Sequence, residues 1–226
     1  VLDIAGLSVN DVDLIAAAGL DAPEHGQRIC RYLQETFSEV KFFAPRRLGG
    51  ALRDRILRRR RQMPAWAQNV QVDFVEHHQA HAASAYYGLR KDSQPYLVLT
   101  LDGGGDGLSG SVWIGKTGAL TPVATIPQAD SLGEIYAATT HYLGFMPLEH
   151  EYKLMGMAPY GADKYAQDVA RLYASYLDLD ERDPLRFVRS VPEQLSRIGP
   201  RLQHDLRRVR VDNICAGLQV FTENLI

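Results

Sequence analysis

Blocks of apolar residues, short and often bounded by turn-forming residues, predict strands in the first 127 residues. The block at residues 95–102 (PYLVLTLD) is apolar almost throughout, as in a buried central strand, and it ends at Asp102. A Lys-Thr-Gly turn between two later blocks predicts a hairpin. The predicted strands are 14–19 (interpreted as buried), 72–78, 95–102, 109–115 and 120–127.

Helical spacing dominates the rest of the chain. Ser131 and Glu134 form a capping box, which predicts a helix that ends at Gly144. Gly199-Pro200 is expected to interrupt a helical region near the C-terminus. The predicted helices are 25–37, 52–61, 81–89, 132–143, 165–177 and 191–226. Strands followed by helices in this way predict an α/β fold.

Composition excludes several function classes. The 226 residues carry 25 Lys+Arg against 27 Asp+Glu, so the basic signature of a duplex-binding protein is missing, and the arginines at 53–61 are interpreted as a solvated helix face. No apolar run approaches the length of a membrane span, so neither nucleic acid nor membrane is expected as a partner. Cys30 and Cys215 have neither zinc nor disulfide spacing, which favours a cytoplasmic protein. The chain starts at Val1 and both ends fall in helical phrases, so we expect a fragment of a longer protein.

Three of the seven histidines lie within five residues, in the sequence HHQAH at 77–81. If a helix opens at Glu76 or His77, then His77 and His81 share one face and can bind a single ion. A zinc protease would need Glu at the second position, where this chain has His78. An isolated H-x-x-x-H pair is more often metal-free, so the choice between a metal site and a metal-free cluster depends on the neighbouring motifs.

A glycine-rich segment, TLDGGGDG at 100–107, follows the predicted central strand. Glycines let backbone amides approach an anion, and ligands gather at the carboxyl ends of strands in open α/β sheets. An aspartate followed by such a turn is typical of ATP-binding folds of the actin, sugar-kinase and Hsp70 type. A tight hairpin is an equally good interpretation, since Asp-Gly is common in turns.

A third motif, EHEYKLMGMAPYG at 149–161, offers Lys153 as a cation for phosphate. Gly156 lies in what the sequence predicts to be a constrained turn.

Four segments in order, HHQAHAASAYY, TLDGGGDG, SLGEIYAATTHYLGF and EYKLMGMAPYG, resemble the NodU/CmcH/TobZ carbamoyltransferase family. The resemblance implies a partial actin/Hsp70-like (ASKHA) catalytic domain, with a mixed sheet and flanking helices. This domain is related to the catalytic domain of HypF and to the enzyme that makes threonylcarbamoyl-adenosine on transfer RNA. Residues 1–226 would then be a partial domain truncated at both ends. Residues 1–94 would belong to the first lobe, and residues 95–226 would start the second.

The resemblance implies O-carbamoylation. A carbamoyl-adenylate, made from ATP and carbamoyl phosphate in a YrdC-like domain of the full-length chain, donates its carbamoyl group to a hydroxyl of a sugar or natural product. The family holds a metal, often iron, by an H-x-x-x-H pair and aspartates, which His77, His81 and Asp102 match. The family's further aspartate has no matching segment here, so the fragment alone is not expected to be fully active.

The remaining assignments follow from the resemblance. Phosphate oxygens would contact backbone amides in the glycine-rich segment, and the nucleotide would lie near Lys153 and Gly156. His78 is assigned one of two roles: it orients or deprotonates the acceptor hydroxyl, or it supports the ligands. The glycines concerned are Gly103, Gly104, Gly105 and Gly107.

Other function classes fit less of the sequence. TLDGGGDG alone also fits an ATP-dependent kinase or ATPase of the same superfamily. Two histidines and a carboxylate also fit a non-haem iron oxygenase, whose usual fold needs more strands than this chain offers. A binding module without catalysis is the fourth class.

Overall fold

The computed structural model describes residues 12–19, 70–89 and 94–226. The helices predicted at 25–37 and 52–61, together with Cys30, lie outside the described residues.

The described strands form three small sheets. The first two strands pair in parallel, the next three form an antiparallel meander, and the last two form an antiparallel pair. The strand predicted at 14–19 is present, but its residues alternate between exposed and half-buried, so the prediction of burial is wrong. The bounds are Leu14–Ala18 (β1), Gln71–Val75 (β2), Tyr96–Gly105 (β3), Leu108–Lys116 (β4), Ala119–Pro127 (β5), Leu177–Leu179 (β6) and Phe187–Arg189 (β7).

Six α-helices lie in the described part of the chain, five of them after the meander. Their bounds are His77–Leu89 (α1), Leu132–Tyr142 (α2), Glu151–Met157 (α3), Asp163–Ala174 (α4), Gly199–Leu206 (α5) and Val211–Leu225 (α6). Gly144, with a φ of 81°, follows α2 as predicted. None of the described helices has the length and apolar composition to cross a bilayer.

The glycine-rich segment is the far end of β3 and a hairpin turn. β3 runs past Asp102 to Gly105, so the predicted strand end is wrong by three residues. Pairing with β4 lapses after Leu101 and resumes at Gly105, opposite Leu108. Between them Asp106 (φ 53°) and Gly107 (φ 90°) adopt the left-handed conformations of a two-residue hairpin turn.

Two helix predictions and one turn prediction need correction. The helix predicted at 165–177 ends at Ala174, because Leu177 starts β6. Gly199-Pro200 begins α5 instead of interrupting a helix, since proline in the first helical turn loses no hydrogen bond. Gly156 lies inside α3, so the predicted turn is a helix there.

Within the part of the chain that the structure describes, two hydrophobic cores hold the helices and the meander. The larger core contains side chains from each of the five helices α2 through α6, and it includes the fully buried Leu154, Tyr173 and Leu202. In the smaller core, Ala82 and Tyr86 of α1 pack against Val98 of β3 and Trp113 of β4. The smaller core fixes α1 against the meander, and so brings its histidines to the β3 strand. The fold is mixed α/β, as predicted; the actin/Hsp70-like assignment and the lobe boundary at 94/95 stay predictions.

Candidate metal centre

Carboxylates cap the first turn of α1. The Glu76 carboxylate accepts hydrogen bonds from the backbone N–H groups of His78 (2.9 Å) and Gln79 (2.7 Å). The Asp106 carboxylate, from the β3–β4 turn, accepts one from the N–H of His77 (2.9 Å). These bonds satisfy N–H groups that the helix leaves free, and negative charge there complements the helix dipole. They also join the glycine-rich hairpin to the helix that carries the histidines.

His77, His81 and Asp102, the three ligands that the family resemblance implies, converge on one point. His77 Nε2 lies 2.5 Å from Asp102 Oδ2 and 3.1 Å from His81 Nε2, and His81 Nε2 lies 3.4 Å from the same carboxylate oxygen. Ligand atoms at about 2.1 Å from one ion lie roughly 3 Å apart when their bonds are at right angles. Two imidazoles and a carboxylate within this spacing therefore fit one divalent ion.

The cluster opens to solvent on one side. The His81 side chain is 54% exposed, whereas those of His77 and Asp102 are 22% and 28% exposed. An ion held by these three groups would therefore keep coordination positions that a substrate can reach.

Two glycines of the glycine-rich segment allow close packing of neighbouring side chains. A Cβ atom on Gly105 would overlap the His77 imidazole, so glycine lets that ring lie directly against the β3 backbone. A Cβ atom on Gly104, whose φ is 146°, would lie 2.5 Å from the Gln128 side chain. Packing therefore accounts for two of the glycines, and contact of the segment with phosphate stays a prediction.

The start of α2 supports Asp102 from its backbone. Ser131 Oγ accepts a hydrogen bond from the Glu134 N–H (3.1 Å), as the capping box predicts, and donates one to the Asp102 carbonyl (3.2 Å). A Cβ atom on Gly133 would lie 2.6 Å from that carbonyl oxygen. The sequence predicts the cap, but it does not predict that this helix start contacts a candidate ligand.

His78 is completely buried behind the candidate ligands. Its Nδ1 lies 2.9 Å from Thr100 Oγ1, and its Nε2 lies 3.4 Å from Asp102 Oδ1. A direct contact with an acceptor hydroxyl would require the ring to leave this position, so the geometry favours support of Asp102. Thr100 is not predicted from the sequence as a site residue. Its only signal is a polar residue within the apolar run that precedes Asp102.

Lys153 and Gly156 lie on α3, a different element from those that carry the histidine and aspartate ligands. The Lys153 ammonium group is 5.5 Å from the centroid of the Phe145 ring and 5.9 Å from that of Tyr152, within cation–π range. A Cβ atom on Gly156 would meet nothing within 4 Å, so packing does not explain that glycine. Their contact with a nucleotide stays a prediction.

Comparison with known proteins agrees with the resemblance to carbamoyltransferases that the sequence motifs show. The family model described as Carbamoyltransferase N-terminus matches residues 1–226. The chain therefore belongs to the carbamoyltransferase N-terminal family.

Two curated relatives are nodulation proteins. Nodulation protein NolNO of Sinorhizobium fredii is 31% identical over 210 residues, which cover 93% of this chain and 28% of the relative. Nodulation protein NolO of Bradyrhizobium diazoefficiens is 36% identical over 138 residues, covering 61% of this chain and 22% of the relative. An uncharacterized protein of Synechocystis is 48% identical over 92 residues, which are 41% of this chain and 15% of its own. The chain spans about a quarter of the length of the nodulation relatives.

Proposed function

We propose that this chain is part of the catalytic domain of an O-carbamoyltransferase, which moves a carbamoyl group from carbamoyl-adenylate to a hydroxyl of a sugar or natural product. Family membership supports carbamoyl transfer. The observation that carries the proposal is the convergence of His77, His81 and Asp102 beside the glycine-rich hairpin. The carbamoyl-adenylate would form from ATP and carbamoyl phosphate in a YrdC-like domain elsewhere in the full-length protein.

His77, His81 and Asp102 would hold a divalent metal, and iron is the first expectation. Imidazole with carboxylate also suits other divalent ions, so the residues fit a class of metals. When bound, the metal would supply Lewis acidity, which polarises a carbonyl group and offsets negative charge.

The glycine-rich hairpin would bind the phosphate of the donor. Gly103 and Gly104 fall where the β3–β4 register shifts, next to the turn of the hairpin. Glycine-rich turns can present backbone N–H groups to an anion, which supports this assignment. Lys153 and Gly156 are proposed to lie near the nucleotide in the whole protein.

The transfer conserves atoms and charge. The acceptor hydroxyl oxygen forms a bond to the carbamoyl carbon, the bond from that carbon to the phosphate oxygen breaks, and AMP leaves. The proton of the hydroxyl passes to solvent water, to which the cluster opens on the side of His81. Because His78 is buried, we assign it the orientation of Asp102 and not the acceptance of that proton.

Mass spectrometry of the acceptor tests this function against the kinase alternative. The full-length protein is incubated with ATP, carbamoyl phosphate and a hydroxylated acceptor. Carbamoylation adds ~43 Da, whereas phosphorylation adds ~80 Da. Asp102→Asn should abolish the carbamoyl product, and His204→Gln, which changes an exposed histidine of α5, should not. A phosphorylated acceptor would contradict the proposal.

A further inference from the structure

One face of α1 carries its buried side chains, His78, Ala82 and Tyr86, at intervals of four residues. This spacing places them along one stripe of the helix. Ala82 and Tyr86 meet apolar residues of the meander, but His78 at the end of the stripe meets Thr100. Thr100 pairs directly across the sheet with Ser111, so the sheet offers two hydroxyl groups at this place.

These hydroxyl groups belong to a continuous buried chain of polar contacts. Trp113 Nε1 donates to Ser111 Oγ (2.6 Å), which lies 2.6 Å from Thr100 Oγ1. Thr100 Oγ1 lies 2.9 Å from His78 Nδ1, and the other ring nitrogen faces Asp102 Oδ1 at 3.4 Å. Each of the four side chains from Trp113 to His78 is at most 8% exposed.

The indole group fixes the donor-to-acceptor direction of this series of hydrogen bonds. An indole N–H only donates, so Ser111 Oγ must accept from Trp113. The Ser111 hydroxyl can then donate to Thr100, and the Thr100 hydroxyl can donate to His78 Nδ1. In a neutral ring, an Nδ1 that accepts leaves the hydrogen on Nε2, where it faces the Asp102 carboxylate.

The opposite arrangement leaves acceptors facing each other. The Thr100 hydroxyl can also donate to the Ser111 carbonyl, at the longer distance of 3.4 Å, and Nδ1 of His78 would then carry the hydrogen. Nε2 would turn a lone pair toward Asp102 Oδ1. Both atoms are buried, and among the described residues neither makes a hydrogen bond; they lie 3.4 Å apart. Burial of two opposed acceptors is costly, so the first arrangement is favoured.

We propose that the chain from Trp113 through Ser111 and Thr100 fixes His78 as the Nε2–H tautomer, and that His78 thereby acts as a positioning residue for Asp102. The ring N–H faces Oδ1 and leaves Oδ2 to face the two candidate ligand imidazoles. The positioning role rests on the proposed metal centre. The tautomer does not.

The tautomer is tested first, in the metal-free full-length protein. Nitrogen-15 spectra of the imidazole side chains at mildly alkaline pH should show His78 as the Nε2–H form, assigned by its loss in His78→Gln. Thr100→Val keeps the side-chain shape but removes the hydroxyl that donates to Nδ1, so it should shift the His78 signals toward a mixture of tautomers.

Thr139→Val is the matched control, because Thr139 is also a buried threonine but bonds to Ile135 and Tyr173 in the larger core. It should leave the His78 signals unchanged. An Nδ1–H ring or a doubly protonated ring in the wild-type protein would overturn the proposal. So would signals that Thr100→Val leaves unaltered.

The positioning role is tested by the affinity of the full-length protein for Co²⁺. His78→Leu removes the donor and should weaken Co²⁺ binding about 10- to 100-fold, the usual effect of losing a group that supports a metal ligand. His78→Gln carries an amide N–H near the position of Nε2 and should restore most of the affinity. Full affinity in His78→Leu, or equal losses in both variants, would contradict the role. Absence of Co²⁺ binding by the wild-type protein would contradict the metal centre and the positioning role together, while the tautomer measurement would stand.

Discussion

The contact between Gly105 and the His77 imidazole lets one alanine substitution test the candidate metal centre. A methyl group on Gly105 would overlap the ring, so the imidazole must turn away from the point it shares with His81 and Asp102. We expect Gly105→Ala to weaken Co²⁺ binding by the full-length protein at least about tenfold, as for loss of a supporting group. A competition titration measures it.

Gly88→Ala is the matched control for this substitution. Gly88 lies near the end of α1, and an added Cβ there meets nothing within 4 Å. Alanine should leave Co²⁺ affinity unchanged and stabilise the protein by ~0.5–1 kcal/mol, because alanine favours a helix over glycine. Equal affinities in Gly105→Ala and Gly88→Ala would contradict the steric account.

Cys215 is predicted to be inert in the folded protein. The residue is fully buried in α6, and burial raises the pKa of its thiol to about 11. Since the thiolate is the reactive form, iodoacetamide at pH 8 should modify Cys215 far more slowly in native protein than in urea. Peptide mapping distinguishes this thiol from Cys30. Modification at the same rate in both conditions would contradict the burial.

At the scale of elements, the cap at Ser131 joins α2 to the strand that carries Asp102. Ser131→Ala removes an acceptor for the Glu134 N–H and a donor to the Asp102 carbonyl. We expect a loss of about 1–2 kcal/mol in the free energy of unfolding, in the range of buried caps. Denaturant titration measures it.

The control is Ser84→Ala, which changes an exposed serine of α1. Its free energy of unfolding should stay within about 0.5 kcal/mol of wild type. A Ser131→Ala variant as stable as Ser84→Ala would show that the cap is dispensable.

Elements whose signals are local could be predicted from the sequence. The serine cap at Ser131 and the turn at Thr117-Gly118, where both φ angles are positive, form as expected because a few neighbouring residues determine them. The end of β3 could not be predicted, because it depends on renewed pairing of Gly105 with Leu108. The Gly199-Pro200 pair is ambiguous by itself, since proline suits a helix start as well as a break.

At the scale of the whole molecule, hydrogen bonds between distant segments predict a loss of stability in acid. The Tyr176 hydroxyl donates to Asp205 (2.7 Å), and this bond, with His204, lowers the pKa of the carboxyl. Arg201 likewise lowers the pKa of Glu193. A carboxyl whose pKa is lower in the folded state stabilises the fold above its unfolded pKa, and that stabilisation is lost as pH falls through the folded pKa. The free energy of unfolding should therefore decrease from about pH 4 downward.

Tyr176→Phe isolates one of these bonds. At pH 7 it should lower the free energy of unfolding by about 1 kcal/mol, and the difference from wild type should shrink below about pH 4 as Asp205 is protonated. Tyr165→Phe, at an exposed position of α4, should match the wild type throughout. A deficit in Tyr176→Phe that stays constant from pH 7 to pH 2 would contradict the role of the carboxylate.

The site itself was only partly predictable. Helix geometry alone brings His77 and His81 together, because residues four apart share a face. Asp102 was predicted through the family resemblance, and its contact with the histidines depends on the packing of α1 against β3. The surroundings of His78 could not be predicted, since they require the cross-strand register that places Ser111 opposite Thr100.

The most direct test of the central claim is the metal content of the purified full-length protein. Three converging ligands predict about one equivalent of iron or a similar ion per chain in the wild type. His204→Ala should retain it, and the double variant His77→Ala/His81→Ala should lose it. Metal content that is unchanged in the double variant would contradict the assigned ligands, and with them the physical basis of the proposed carbamoyl transfer.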